Sequence, residues 1–534
     1  MTEFSGNNDG SGEGASEDSR TVSRRGFLKV GVVGGASLLA ARGSSLILPL
    51  GRAKSSPPRR GGTLHAAITG GSSADTLDAD NAITNMDFAR VNNLYDGLVY
   101  MNANAEPVLW LAEEITPNST ATEWTVRVKK GVTFHNGKPL TADDVIFTLQ
   151  RIMNSKAPLQ GASALAAVDA AAIKKLDDLT VHVPCKVPFA NFVEVLSIWY
   201  YFIVPVGYNP HRPIGTGPFM FKSFAPGVQS VFTRNPSYWR HPYPYLDEVV
   251  ISDFSDETSQ VNALLSGEAD VVNLLSAGSI AVLKNGHSKV LVSPGGGFTP
   301  FTMRVDKAPF NDVRVRQAMR LIVDRPQMLE LVFEGHGTLG NDVFGIWAPE
   351  YDHQLPQRHQ DIEQAKSLLK AAGHEGLRAQ LVTGNIAQGT TLAAQVLAQQ
   401  AAAAGVTLSI QQVTVTDFYG SNYLKWTLAQ DFWYYNYYLP QVASATLATA
   451  PYNETHFANG RYTSLYAEAQ RTLDIPKRYE IEHEMMTIDY DQGGYIIPYF
   501  PPVIDGYSSR VNGLVPSKTG LSLNSYNFGE LWLG

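Results

Sequence analysis

Residues 213–239 read PIGTGPFMFKSFAPGVQSVFTRNPSYW, and the way this stretch turns decides how the rest of the chain is arranged. Gly215, Gly217 and Pro218 make a tight turn, residues 219–224 alternate as a half-buried strand does, and Pro226-Gly227 turns the chain into a second strand over residues 229–234. That is a hairpin. A phosphate-cradling reading of Gly215-Thr216-Gly217 lacks the Lys-Ser/Thr pair and the following helix on which such loops depend.

Two further runs have the same punctuated character. Residues 135–145, HNGKPLTADDV, pair a strong hairpin signal, Asn136-Gly137, with Thr141 as the cap of a helix whose first turn carries Asp143 and Asp144. His135, Asp143 and Asp144 have the chemistry of a metal or acid/base cluster, but each has a turn or capping role that accounts for it. Residues 309–320, PFNDVRVRQAMR, form a turn capping an amphipathic helix, with Arg314, Arg316 and Arg320 spaced toward one face as solvated or ion-paired residues. Together the three runs resemble the signatures of the extracellular solute-binding proteins of family 5, the peptide, nickel and oligosaccharide receptors of ATP-binding cassette (ABC) importers. The resemblance spans residues 60–534.

That resemblance implies an α/β fold: a two-lobed periplasmic-binding-protein clamshell (type II, large cluster C-like) with an extra domain inserted in the first lobe. The expected boundaries are residues 61–98, 213–297 and 502–534 for lobe I, 99–212 for the inserted subdomain, and 298–501 for lobe II. Local patterns agree with such a plan. A strand over residues 63–68 leads through a Gly/Ser/Asp loop into helical spacing, and residues 246–272 have a strand-helix-strand rhythm that favours a parallel sheet. Residues 300–306 read as a crossing strand, residues 362–411 repeat the first lobe's rhythm, and residues 496–501 read as the return strand.

Length and composition narrow the classes. At 534 residues the chain exceeds one core, and its net charge of -8 is spread without a basic block, which argues against nucleic acid as a partner. The single cysteine, Cys185, excludes an intrachain disulfide and any cysteine-based metal cluster. Residues 1–22 are Gly, Ser and acid rich and are expected to be disordered; residues 23–53, opening SRRGFLK, resemble a twin-arginine export signal, followed by a linker over 54–60. The expected product is a soluble periplasmic monomer without a lipid anchor, whose partners are the twin-arginine translocase during export, a small-molecule ligand and the permease subunits.

The chemistry concentrates in residues 431–440, DFWYYNYYLP. Trp433, Tyr434, Tyr435, Tyr437 and Tyr438 cannot all face one core under strand alternation, so one side is exposed or lines a cavity. In peptide-binding members of the resembled family a Trp is followed three residues later by an Asp, then by a Pro; Trp433 and Pro440 match, while Asn436 stands where the ammonium-binding acid is expected. A desolvated cation without a countercharge is costly, so a ligand with a free amino terminus is disfavoured unless another acid compensates. Asp342, Asp75 or Asp78 are candidates. The expected ligand set is Trp433, Tyr435, Asn436, Tyr437, Arg304, Asp342 and Tyr499, with Arg304 reserved for a carboxylate. No catalytic residue, metal or cofactor is expected: there is no Gly-x-Ser-x-Gly or Walker loop, and His483-Glu484 is followed by Met485-Met486 rather than leading to a second zinc histidine. The expected function is capture of a small organic solute, peptide-like or a modified amino acid, opine or sugar, for an ABC importer. The alternative is a secreted hydrolase or nickel-complex binding protein on the same scaffold.

Overall fold

The computed structural model describes residues 57–534, so the expected leader, export signal and start of the linker lie outside the described residues. A seven-stranded sheet runs in the order Lys289–Ser293, Val503–Tyr507, Val271–Val272, Thr63–Thr69, Glu248–Phe254, Gln229–Arg234, Phe219–Ala225. A five-stranded sheet runs Thr407–Gln412, Arg378–Thr383, Leu428–Gln430, Phe301–Met303, Tyr495–Ile496. Between the early strands of the first sheet, residues 112–184 supply a separate four-stranded antiparallel sheet.

The first sheet is mixed, not parallel throughout. Thr63–Thr69 pairs in parallel with its two neighbours, as strand-helix-strand units require, but the hairpin of residues 219–234 and the returning Val503–Tyr507 both join antiparallel. The crossing strand is likewise shorter than residues 300–306, keeping only Phe301–Met303. The chain passes between the sheets twice, after Ser293 and before Val503, and the two passages touch. A Cβ on Gly295, whose φ is +63°, would lie 2.1 Å from the Pro501 carbonyl oxygen. Adjacent paired crossings of this kind are where a two-lobed molecule bends.

The opening run acts as a packing knot. A Cβ on Gly215 would lie 2.0 Å from the Leu94 carbonyl oxygen and one on Gly217 2.5 Å from the Leu94 carbonyl carbon, so the glycines admit the end of helix Asn85–Leu94. The His135 ring is held between the same two residues: Nδ1 accepts the Gly215 N–H at 3.2 Å and Nε2 faces the Gly217 carbonyl at 3.0 Å. Burial pushes that imidazole down to about 4, so it sits neutral, as these two bonds require. Thr216, Tyr238 and Trp239 of the run, joined by Trp110, all donate to the buried Asp96 carboxylate at 2.7–3.2 Å. Asp144 caps its own helix through Thr141 and pairs with Lys138 at 2.7 Å.

The arginine run departs from expectation. Arg314 is exposed and pairs with Asp312, but Arg316 and Arg320 are buried, at 6 % and 0 % exposure. Their guanidinium groups donate to the carbonyls of Asp489, Tyr490, Gln492 and Gly493, where helix Ile475–Gln492 ends. The last carbonyls of a helix lack internal partners and carry partial negative charge, so buried arginines there satisfy both needs.

Candidate functional site

Residues 431–437 do not form a strand. Asp431 follows strand Leu428–Gln430, Trp433 makes one antiparallel bridge with Phe298, and Tyr437 is the N-cap of helix Tyr438–Ala445. Freed from alternation, the rings divide between two sides. Tyr434, Tyr435 and Tyr437 pack with the core cluster that contains Phe88 and Trp199, while Trp433 and Tyr438 pack with a second cluster that contains Phe298 and Phe344. Tyr434 meets Phe88 edge-on at 5.6 Å between centroids, and the Tyr437 hydroxyl donates to the Ala105 carbonyl at 3.0 Å. This segment is an aromatic contact between the two core clusters.

Just before it lies an acid pair that the aromatic pattern did not reveal. Asp431 and Glu454 are 3 % and 5 % exposed and line a small cavity of about 10 Å³ with Tyr423 and Trp426. The Tyr419 hydroxyl donates to Asp431 at 2.6 Å, and the Trp433 indole N–H to Glu454 Oε1 at 3.1 Å. Glu454 Oε2 has no partner. Neither acid has an ion pair among the described residues. Burial, with Asp431 beside it, pushes the Glu454 carboxyl well above the ordinary glutamate range, and burial raises Asp431 too. Two acids this close, in a dry site and without a cation, retain a proton between them. The pair sits past the carboxyl end of Leu428–Gln430, a strand that runs parallel to Arg378–Thr383, and ligands of α/β sheets gather at such ends.

Residues 106–459 match the family model described as bacterial extracellular solute-binding proteins, family 5 Middle. The chain belongs to this family. Among relatives of this family 5 protein, heme-binding protein A of Haemophilus influenzae is 28 % identical over 303 residues, 51 % of this chain; the matched stretch spans only 54 % of that relative's length. The dipeptide-binding protein of Escherichia coli is 25 % identical over 472 residues, 80 % of this chain and 87 % of the relative. The crystal structure of the ABC transporter substrate-binding protein CtaP from Listeria monocytogenes superposes with a TM-score of 0.78 at 21 % identity, covering 89 % of this chain and 100 % of that one. The shared fold is the type II periplasmic-binding-protein fold.

The residues singled out by sequence in this family 5 protein fall in different surroundings. Trp433, Tyr435, Asn436 and Tyr437 come together at the joint, Tyr435 and Tyr437 each 1 % exposed and the Asn436 Oδ1 buried without a partner. Asp342 lies elsewhere, fully buried, its charge already met: Arg325 donates to both oxygens at 2.8 and 2.7 Å, Arg358 adds 2.9 Å, and Arg320 stands at 3.9 Å. Burial alone would raise this carboxyl, but Arg325, Arg320 and Arg358 hold it below its ordinary value. Arg304 forms a two-point pair with Asp306, 2.7 Å on each arm, and donates a third bond to the Leu424 carbonyl. Tyr499 is buried against Phe333 at 5.2 Å, beside strand Thr338–Leu339. Asp75 pairs with the buried Arg90, and Asp78 with Arg151, which leaves neither free as a countercharge. Among the described residues, no group of three or more His, Cys, Asp or Glu side chains is placed to hold a metal ion, and no helix is long and apolar enough to cross a membrane.

Proposed function

We propose that this family 5 protein captures a small organic solute between its lobes and delivers it to the membrane permease of an ABC importer. The observation that carries the reading is the aromatic segment of residues 432–437: it leaves the second lobe, meets Phe88 and Ala105 across the joint, and lies beside two acids that have no cationic partner among the described residues. Rings so placed cover a ligand's apolar surface when the lobes shut, and paired crossings at residues 293–301 and 500–503 supply the bend. The protein acts as a binding protein rather than an enzyme, and closure traps the solute by shifting the hinge population.

The finer assignments belong to the same proposal. Residues 61–98, 213–297 and 502–534 form lobe I, residues 99–212 the inserted subdomain, and residues 298–501 lobe II. Trp433 and Asn436 touch the solute directly; Tyr435 and Tyr437 hold the joint; Arg304, Asp342 and Tyr499 support the second lobe from within. Export proceeds by the twin-arginine route, on the strength of Arg24-Arg25 and the weakly apolar stretch after them, and the mature protein works as a monomer in the periplasm. Small-angle scattering and thermal melting across a solute library test the central claim. A bound solute compacts the chain and raises its melting temperature; substrate turnover with neither effect overturns the proposal.

A further inference from the structure

Four observations around Asp431 and Glu454 bear on what the cavity beside them accepts. The two carboxyls are both at least nine-tenths buried, yet their protein partners are a tyrosine hydroxyl, an indole N–H and the Phe432 backbone N–H, all of them uncharged. Glu454 lines the cavity, and its Oε2 has no partner of its own. The cavity of about 10 Å³ holds one group the size of a water molecule. Its remaining walls include Tyr423 and Trp426, aromatic side chains of the kind that attract cations.

We propose that this cavity receives a primary ammonium group of the transported solute, Asp431 and Glu454 supplying the countercharge and Tyr423 and Trp426 the walls. The inference rests on the solute-receptor reading and names the chemical class of its cargo. Size selects among cations. An ammonium head matches a water-sized space and points its three N–H donors at two carboxylates, whereas a planar guanidinium or a quaternary ammonium exceeds it. A hard divalent ion is disfavoured on donor count, since calcium takes six to eight oxygen ligands and the cavity offers two carboxyl groups with a few neutral oxygens. Water would fit the space but, being neutral, cannot replace the proton that the empty pair retains, whereas an ammonium supplies the charge that lets both acids ionise. The position also answers the question Asn436 raises. An ammonium is recognised five residues earlier, from Asp431, together with a loop acid that becomes its neighbour only in the fold.

The test uses the full chain and n-butylammonium chloride as the probe, followed by tryptophan fluorescence at constant ionic strength, since Trp426 and Trp433 flank the pair. Tetramethylammonium, guanidinium and calcium chloride are run in parallel on the wild type and on the shape-preserving variants Glu454→Gln and Asp431→Asn, each confirmed folded by its melting curve. The expected result is a saturable response to butylammonium, a response at least about tenfold weaker in either folded variant, and weaker binding of the other three cations. No saturable response to butylammonium, tighter binding of any comparison cation, or unchanged binding in a folded variant overturns the proposal. Scattering separates this from the reading beneath it. If Nε-acetylated lysyl dipeptides compact the chain as well as the free lysyl forms do, the ammonium site falls and the receptor stands; if butylammonium binds its pocket but no solute compacts the chain, the receptor reading falls alone.

Discussion

Asp342 and the Asp431–Glu454 pair are buried alike, and only the first is supplied with positive charge. Asp342 meets Arg325 and Arg358 directly, has Arg320 close by, and also accepts the Ile497 backbone N–H at 3.0 Å. The pair at Asp431 meets neutral donors only, with one Glu454 oxygen bare. A charge set that closes on itself builds structure and has nothing left to offer a ligand. An acid set short of a cation, placed at a strand end beside the interlobe rings, is unfinished until something binds. The difference teaches that burial and acidity alone do not mark a binding site; the absence of a cation partner is what sets the Asp431–Glu454 pair apart.

The strongest way to break the comparison is Asp342→Asn. It leaves Arg320 and Arg325, at 0 % and 1 % exposure, without their carboxylate, and stranding buried charges costs about 3–5 kcal/mol. Chemical denaturation should show a loss of that size with solute binding retained in whatever remains folded. A variant with the wild-type midpoint would mean that Asp342 is not the closed centre described here.

Glu350 gives a second, smaller effect and shows how this lobe treats an acid that has no cation in bonding contact. Its carboxylate accepts the Tyr438 N–H at 2.8 Å, capping the helix that follows the aromatic segment, and burial raises it from 4.5 to about 7. A carboxyl raised in the fold contributes fully to stability below its unfolded value and loses that contribution as pH rises through the folded one. The window is therefore roughly pH 4.5 to 7, and the loss across it is about 3 kcal/mol. Glu350→Gln keeps the acceptor and removes the titration. Its melting temperature should exceed that of the wild type at pH 8 and match it near pH 5; a parallel profile for the two proteins would count against a protonated Glu350.

Glu454→Gln sharpens the contrast from the other side. Burial and Asp431 hold the Glu454 carboxyl well above its ordinary range; a glutamine there has no proton to lose and its amide can donate to Asp431, so the empty protein should be unchanged or up to about 1 kcal/mol more stable at pH 8. A loss comparable to that of Asp342→Asn would make the two centres alike and erase the distinction.

Much of the scaffold was legible because its signals are local. Thr141 and Asp144 cap within one turn, Pro226-Gly227 turns a hairpin, and Gly215 and Gly217 announce a close approach, though only the fold shows that the neighbour is Leu94. Residues whose roles depend on distant partners were harder to read. Arg316 and Arg320 look like a solvated helix face until the end of Ile475–Gln492 is packed over them. Asp342 looks like a free loop acid until Arg325 and Arg358 arrive from either side. Asp431 opens the aromatic run and was in view, but Glu454, in the plain sequence PYNETHF, has no local mark; twenty-three residues separate it from Asp431. Only the pairing of the two carboxyls marks them, and pairing across loops is tertiary information.

The last expected effect, on selectivity rather than stability, comes from Asn436→Asp. The Asn436 Oδ1 is buried with no hydrogen-bond donor, so this position is already short of a partner that a ligand could supply. An aspartate there adds a second acid to the joint at a point the backbone has left polar, and a desolvated carboxylate favours a ligand that brings a cation with it. Because Asp431 and Glu454 hold their own ammonium, the new acid should add selectivity rather than create it: preference for free over Nα-acetylated dipeptides should rise by less than about tenfold, ~1.4 kcal/mol, while the butylammonium response of the acid pair stays within about twofold of wild type. Competition titrations with matched free and blocked dipeptides measure the first quantity and tryptophan fluorescence the second. Unchanged selectivity would remove Asn436 from the ligand's path, whereas a weakened butylammonium response would show that the two positions share one cation and that the pair at Asp431 is not a separate site.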